Sequence, residues 1–125
     1  MKLRNWYLVY AGVSLLFALG LLLMSNVMLG LFGMDLTRDA AVLCQLIGVE
    51  LSAGGMVTLL ARDVTDAQAR SAINYANMAA GALGLIIALN ATLTGVLGWF
   101  GWAVAAIYLL MTLGFAYFQF FAPPE

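Results

Sequence analysis

Apolar and polar positions in this chain are segregated into blocks, and the blocks define the elements. The first apolar block runs from Trp6 to about Met24. Ser25-Asn26 interrupts it, and VMLGLFGM follows; Gly30 and Gly33 weaken a continuous helix, so residues 27–34 read as a helix end or short interfacial turn. Asp35-Leu36-Thr37-Arg38-Asp39 is the first polar break, with Thr37 placed as an N-cap and Asp39 in the first turn of the next helix. The second block, Ala41 to Ala61, would reach about 30 Å as a helix, the hydrocarbon thickness of a bilayer. After Arg62-Asp63-Val64-Thr65-Asp66, the sequence Thr65-Asp66-Ala67-Gln68 matches a Ser/Thr-x-x-Gln capping box and predicts the start of a third helix, whose apolar part runs from Ile73 to Ala91. Residues 92–98 carry no charge and predict a tight apolar turn, after which a last block extends to Phe121. The expectation is an all-α transmembrane four-helix bundle, a single integral membrane domain with spans near residues 6–27, 41–61, 71–92 and 98–121. Trp6, Tyr7 and Tyr10, then Trp99, Phe100 and Trp102, and finally Tyr117, Phe118, Phe120 and Phe121 read as interfacial aromatic belts.

Helical periodicity inside the blocks predicts packing faces. At 100° per residue, Leu43, Leu46, Ile47, Ala53, Gly54 and Val57 share a face with Glu50, while Gly48, Ser52 and Gly55 form a small-residue stripe on the other side. Such a helix suits the interior of a bundle, or a bundle contact plus a subunit contact. In the third helix Asn74, Asn77, Gly81, Gly84, Ala88 and Ala91 recur in alternating steps of three and four. Small residues at that spacing let another backbone approach closely, which is what drives helix association in lipid.

Composition narrows the class. Of 125 residues 65% are hydrophobic and only 9% charged, with a mean hydropathy of +1.02, outside the range of soluble domains. The net charge of −1 and the absence of a basic block give no reason to expect nucleic acid or an anionic lipid surface as a partner. Histidine is absent, which excludes bis-histidine haem, histidine zinc sites and Ser-His-Asp or Cys-His catalysis. The single Cys44 reads as a small apolar residue within a span, and the seven Met residues as gap fillers rather than metal ligands. No P-loop, GxSxG, HExxH or CxxC motif is present, so no enzyme, metal or cofactor is expected. The first block follows Lys2 and Arg4 but is too long for a signal-peptide h-region and reads as a retained span. With four spans, Lys2, Arg4, Arg62 and Arg70 fall on one side and Arg38 on the other, which predicts both termini in the cytoplasm of a bacterial inner membrane.

Glu50 is the one Asp, Glu, Lys or Arg inside any long apolar block, and it lies near the middle of its span. A carboxyl at that depth costs at least a few kcal/mol unless it is protonated, paired or wet. It reads either as a structural acid hydrogen-bonded within the bundle, as a proton or cation site, or as a contact for a pigment, quinone or lipid. Counting depth along the spans places Tyr108, Thr112 and Ser14 nearest its level, with Asn74 and Asn77 closer to the cytoplasmic end, where they are expected to hydrogen-bond across helices. Arg62, Asp63, Asp66 and Arg70 read as a solvated loop network.

Four short spans, an Asp-containing first loop and a second span reading LIGVELSAGG followed by AR resemble small uncharacterised bacterial membrane families near the DoxX-like group. That resemblance implies a four-helix inner-membrane bundle and brings no catalytic residue with it. The chain is also similar to the small multidrug transporters in having four spans and one embedded Glu, although their essential acid lies in the first span and Glu50 lies in the second. The sequence therefore favours a non-enzymatic accessory membrane subunit that packs in the bilayer against other membrane chains or against itself as an oligomer, through Gly48, Ser52 and Gly55 and through Asn74, Asn77, Gly81, Gly84 and Ala88. The alternative is a small proton-coupled transporter that uses Glu50.

Overall fold

The computed structural model describes residues 2–123. It is all-α: α1 is Leu3–Leu23, α2 Ser25–Leu31, α3 Arg38–Leu60, α4 Ala67–Leu93 and α5 Phe100–Ala116, and α5 runs on into one π-helical turn, Tyr117–Phe121. Four of these helices are long and apolar enough to cross a bilayer: α1, α3, α4 and α5 with its π-helical turn. The chain is thus an integral membrane protein built as a four-helix bundle.

Local chemistry explains the helix ends. The first apolar block is broken at Met24, which leaves helical geometry at φ −130°, ψ 45° while its N–H still bonds Gly20 O. A separate short helix restarts at Ser25, where the sequence predicted only a helix end or turn. It lies back on α1 and α3, so that Leu21, Met28, Leu29 and Cys44 form one buried cluster. Gly33, at φ +71°, provides the left-handed turn that ends this segment. Next to it the Gly98 N–H donates to Phe32 O at 2.8 Å, tying the first loop to the turn before α5. Thr37 caps α3, its Oγ1 accepting from Ala40 N at 3.1 Å. The cap of α4 is Asp66 rather than Thr65, with Oδ2 accepting from Ala69 N at 2.8 Å. Gln68 is then one position too early to complete the capping box.

Helices associate in two close pairs, α1 with α3 and α4 with α5. A Cβ added at Gly48 would come within 2.9 Å of Leu22 Cγ, and one at Gly55 would meet Leu15 and Ser14. In the second pair Gly81 lies against Thr112 and Gly84 against the Tyr108 ring. The pairs are joined at one end by aromatic side chains: Trp6, Tyr7 and Tyr10 of α1 surround Phe115 of α5 with ring centroids 6.1, 5.9 and 5.2 Å away. Tyr7 and Phe115 are 1% and 0% exposed. These α1 aromatics therefore form a packing joint near the N-terminal end of the first span, with Tyr7 buried and Trp6 and Tyr10 half-buried. At the other end Trp99 and Trp102 are exposed, as a belt requires.

Candidate functional site

The α3 periodicity turns Gly48 and Gly55 toward α1 and leaves Glu50, Ala53 and Val57 exposed on the other side. Glu50, Ala53, Gly54, Val57 and Thr58 of α3 face Ala72, Ile73, Ala76 and Asn77 of α4 across an open groove of about 480 Å³. Its walls are mostly small, so a third helix could approach the backbone closely. Its polar groups are Glu50, Thr58 and Asn77. Thr58 is buried, and its hydroxyl donates to Gly54 O at 2.9 Å and accepts from Asn77 Nδ2 at 3.4 Å. Glu50 is exposed and has no hydrogen-bond or ion-pair partner among the described residues. The arginines flanking the groove are engaged elsewhere: Arg62 Nη1 donates to Leu59 O at 2.9 Å and Arg70 Nε to Val64 O at 2.7 Å.

None of the side chains placed near Glu50 by depth reaches it. Ser14 is buried in the α1–α3 contact against Gly55. Tyr108 and Thr112 lie in the α4–α5 contact against Gly84 and Gly81, and the Thr112 hydroxyl donates to Tyr108 O at 2.8 Å. Counting residues gives the level of a side chain in the membrane but not the direction in which it points, and direction separates these groups from Glu50.

Asn74 and Asn77 diverge in the same way. Asn77 turns to Thr58 on the groove, whereas Asn74, itself 2% exposed, is at the centre of a polar chain that runs from a buried bond to half-buried ones. Tyr7 OH donates to Asn74 Oδ1 at 2.7 Å, Asn74 Nδ2 to Gln119 Oε1 at 3.0 Å, and Gln119 Nε2 to Ser71 Oγ at 3.2 Å. This chain links α1, α4 and the π-helical turn. Tyr7, Ser71 and Gln119 were not expected in this chain, nor Thr58 as the partner of Asn77. The visible signal was Gln119, the one amide in the aromatic run YFQFF. The π-helical turn gives it a direction that counting α-helical turns does not supply.

Outside the bilayer, Arg4 Nε donates to Asp63 Oδ1 at 2.6 Å, and Arg62 lies 3.7 Å from the other carboxylate oxygen. The loop network thus recruits Arg4 from α1, while Asp66 serves as the α4 cap. The Arg4 hydrogen bond, aided by the charges of Arg4 and Arg62, holds the Asp63 carboxyl below its usual range.

No protein-family model, curated protein or solved structure matches the chain. A carboxylate in hydrocarbon must take up a proton, a water-filled space or a counter-charge. Here it sits in an open groove with small walls, whose other polar groups, Thr58 and Asn77, lie about 12 Å further along α3.

Proposed function

We propose that the chain is a non-enzymatic integral membrane subunit that joins a second membrane chain across the α3–α4 groove. The observation carrying this reading is Glu50, an unpartnered mid-span carboxyl on an exposed face. In lipid alone it costs at least a few kcal/mol, and a partner chain that covers it lowers that cost. The glycines of the stripes that motivated a subunit role, Gly48 and Gly55 on α3 and Gly81 and Gly84 on α4, are engaged with α1 and α5 of the same chain. The surface left for another helix is the opposite one, the groove that Ala53, Gly54, Ala72 and Ala76 line together with Glu50. The basic asymmetry supports a bacterial inner-membrane location with both termini in the cytoplasm.

The test is extraction of tagged wild type and Glu50→Leu from the native membrane in mild detergent, with native electrophoresis of both. Wild type should migrate with an additional chain, and Glu50→Leu should run alone while keeping its helical circular dichroism. Identical migration of the two would refute the reading. The Thr58–Asn77 pair lining the same groove favours a second reading, a proton-coupled carrier. In liposomes under a pH gradient, substrate-dependent proton flux in wild type that vanishes in Glu50→Gln would put the carrier in place of the subunit.

A further inference from the structure

A second copy of this chain cannot bring a cation to Glu50. Its basic side chains are Lys2, Arg4, Arg38, Arg62 and Arg70, and all lie in loops or near helix ends. Arg38 and Arg62 are each about 18 Å of helical rise from Glu50, far beyond side-chain reach, whichever way the copy is oriented. The groove brings no donor to Glu50. The Thr58 hydroxyl hydrogen is committed to Gly54 O and an Asn77 amide hydrogen to Thr58. The Glu50 carboxylate remains an acceptor without a partner among the described residues, because Asn77, held on Thr58 about 12 Å of helical rise away, does not bring its second amide hydrogen to it. A carboxylate with no donor in reach matches a side chain that only donates, and lysine and arginine are the ones that do so while carrying positive charge. From Glu50 to Thr58 the groove follows about 12 Å of α3, roughly two turns of a helix laid along it. Ala53, Gly54, Ala72 and Ala76 leave room for that helix to come close.

We infer that the occupant of the groove is a transmembrane helix of a different chain that presents a lysine or arginine to Glu50 at mid-bilayer. This rests on the subunit reading and adds the identity of the contact: an ion pair within the membrane between unlike chains. Two charges that are each costly in lipid stabilise one another there, so the pairing selects its partner as well as holding it.

The experiment reconstitutes the fluorescently labelled full chain with a single-span leucine-alanine helix that carries Lys, Leu or Glu at its midpoint, and reads association by energy transfer. The Lys helix should bind wild type about thirtyfold or more tightly than the Leu helix. That preference should disappear in Glu50→Gln, and Glu50→Lys should select the Glu helix instead. Glu50 is exposed, so both variants should retain wild-type helicity by circular dichroism, which is checked alongside. Equal binding of the Lys and Leu helices to wild type would overturn the inference. So would self-association of the labelled chain that Glu50→Gln abolishes, because the occupant would then be a second copy. The native-membrane comparison of wild type with Glu50→Leu separates the two levels. If a companion chain is lost there but no Lys preference is found, the ion pair falls and the subunit reading survives; if no companion is lost, both fall.

Discussion

Asn74→Leu and Asn77→Leu look equivalent in the sequence and should differ severalfold in cost. Asn74 makes two hydrogen bonds, a buried one to Tyr7 at 2.7 Å and a half-buried one to Gln119 at 3.0 Å. Side-chain hydrogen bonds between membrane helices contribute about 0.6 kcal/mol on average and up to about 1.7 kcal/mol each. Losing both puts Asn74→Leu at about 1–3.5 kcal/mol. Asn77 makes a single contact of 3.4 Å on an open groove, near the outer limit of a hydrogen bond, so Asn77→Leu should cost less than about 0.6 kcal/mol. The assay is equilibrium unfolding in mixed dodecyl maltoside and SDS micelles, followed by tryptophan fluorescence. Trp6 packs on Phe115 and Phe118 and so reports on the joint between α1 and α5. A double-mutant cycle with Tyr7→Phe isolates the Tyr7–Asn74 bond and should give a coupling of about 0.5–1.7 kcal/mol. Additive single variants, or an Asn77→Leu cost equal to that of Asn74→Leu, would refute the assignment of Asn74 as the centre of the polar chain.

Gly84→Leu should destabilise the α4–α5 pair by about 1–3 kcal/mol or more, because even the added Cβ meets the Tyr108 ring, whereas Leu83→Ile on the exposed face should be nearly neutral in the same unfolding assay. A topology reporter fused after Glu125 should read cytoplasm and one inserted at Leu36 the opposite side, and the reverse pattern would remove the orientation assignment. Asp63 titrates below its ordinary value of 3.8 in the folded chain, so its contribution is present above that pH and lost as the pH falls through the folded value. Wild type should therefore lose a small increment of detergent stability on acidification into this range, and Asp63→Asn should lack that increment; the pair is exposed, so the effect is screened by salt.

The sequence by itself determined what depends on the solvent and on near neighbours along the chain. Blocks of about twenty apolar residues have to be helices in a bilayer because every backbone hydrogen bond must be met within the segment. Thr37 caps α3 because its hydroxyl bonds an amide three residues away, a purely local event. The faces of α3 were legible for the same reason: the 100° step alone separates Gly48 and Gly55 from Glu50. Only the tertiary structure decided which helix each face meets. It directed the stripes of α3 and α4 to α1 and α5 within the chain, which left the Glu50 face uncovered. It also turned Tyr7 inward to Asn74, although a tyrosine near a helix end reads equally well as an interfacial anchor. Periodicity fixes angles around one helix axis, but the rotation of one helix relative to another is settled only when side chains such as Trp6 and Phe115 interlock across the bundle.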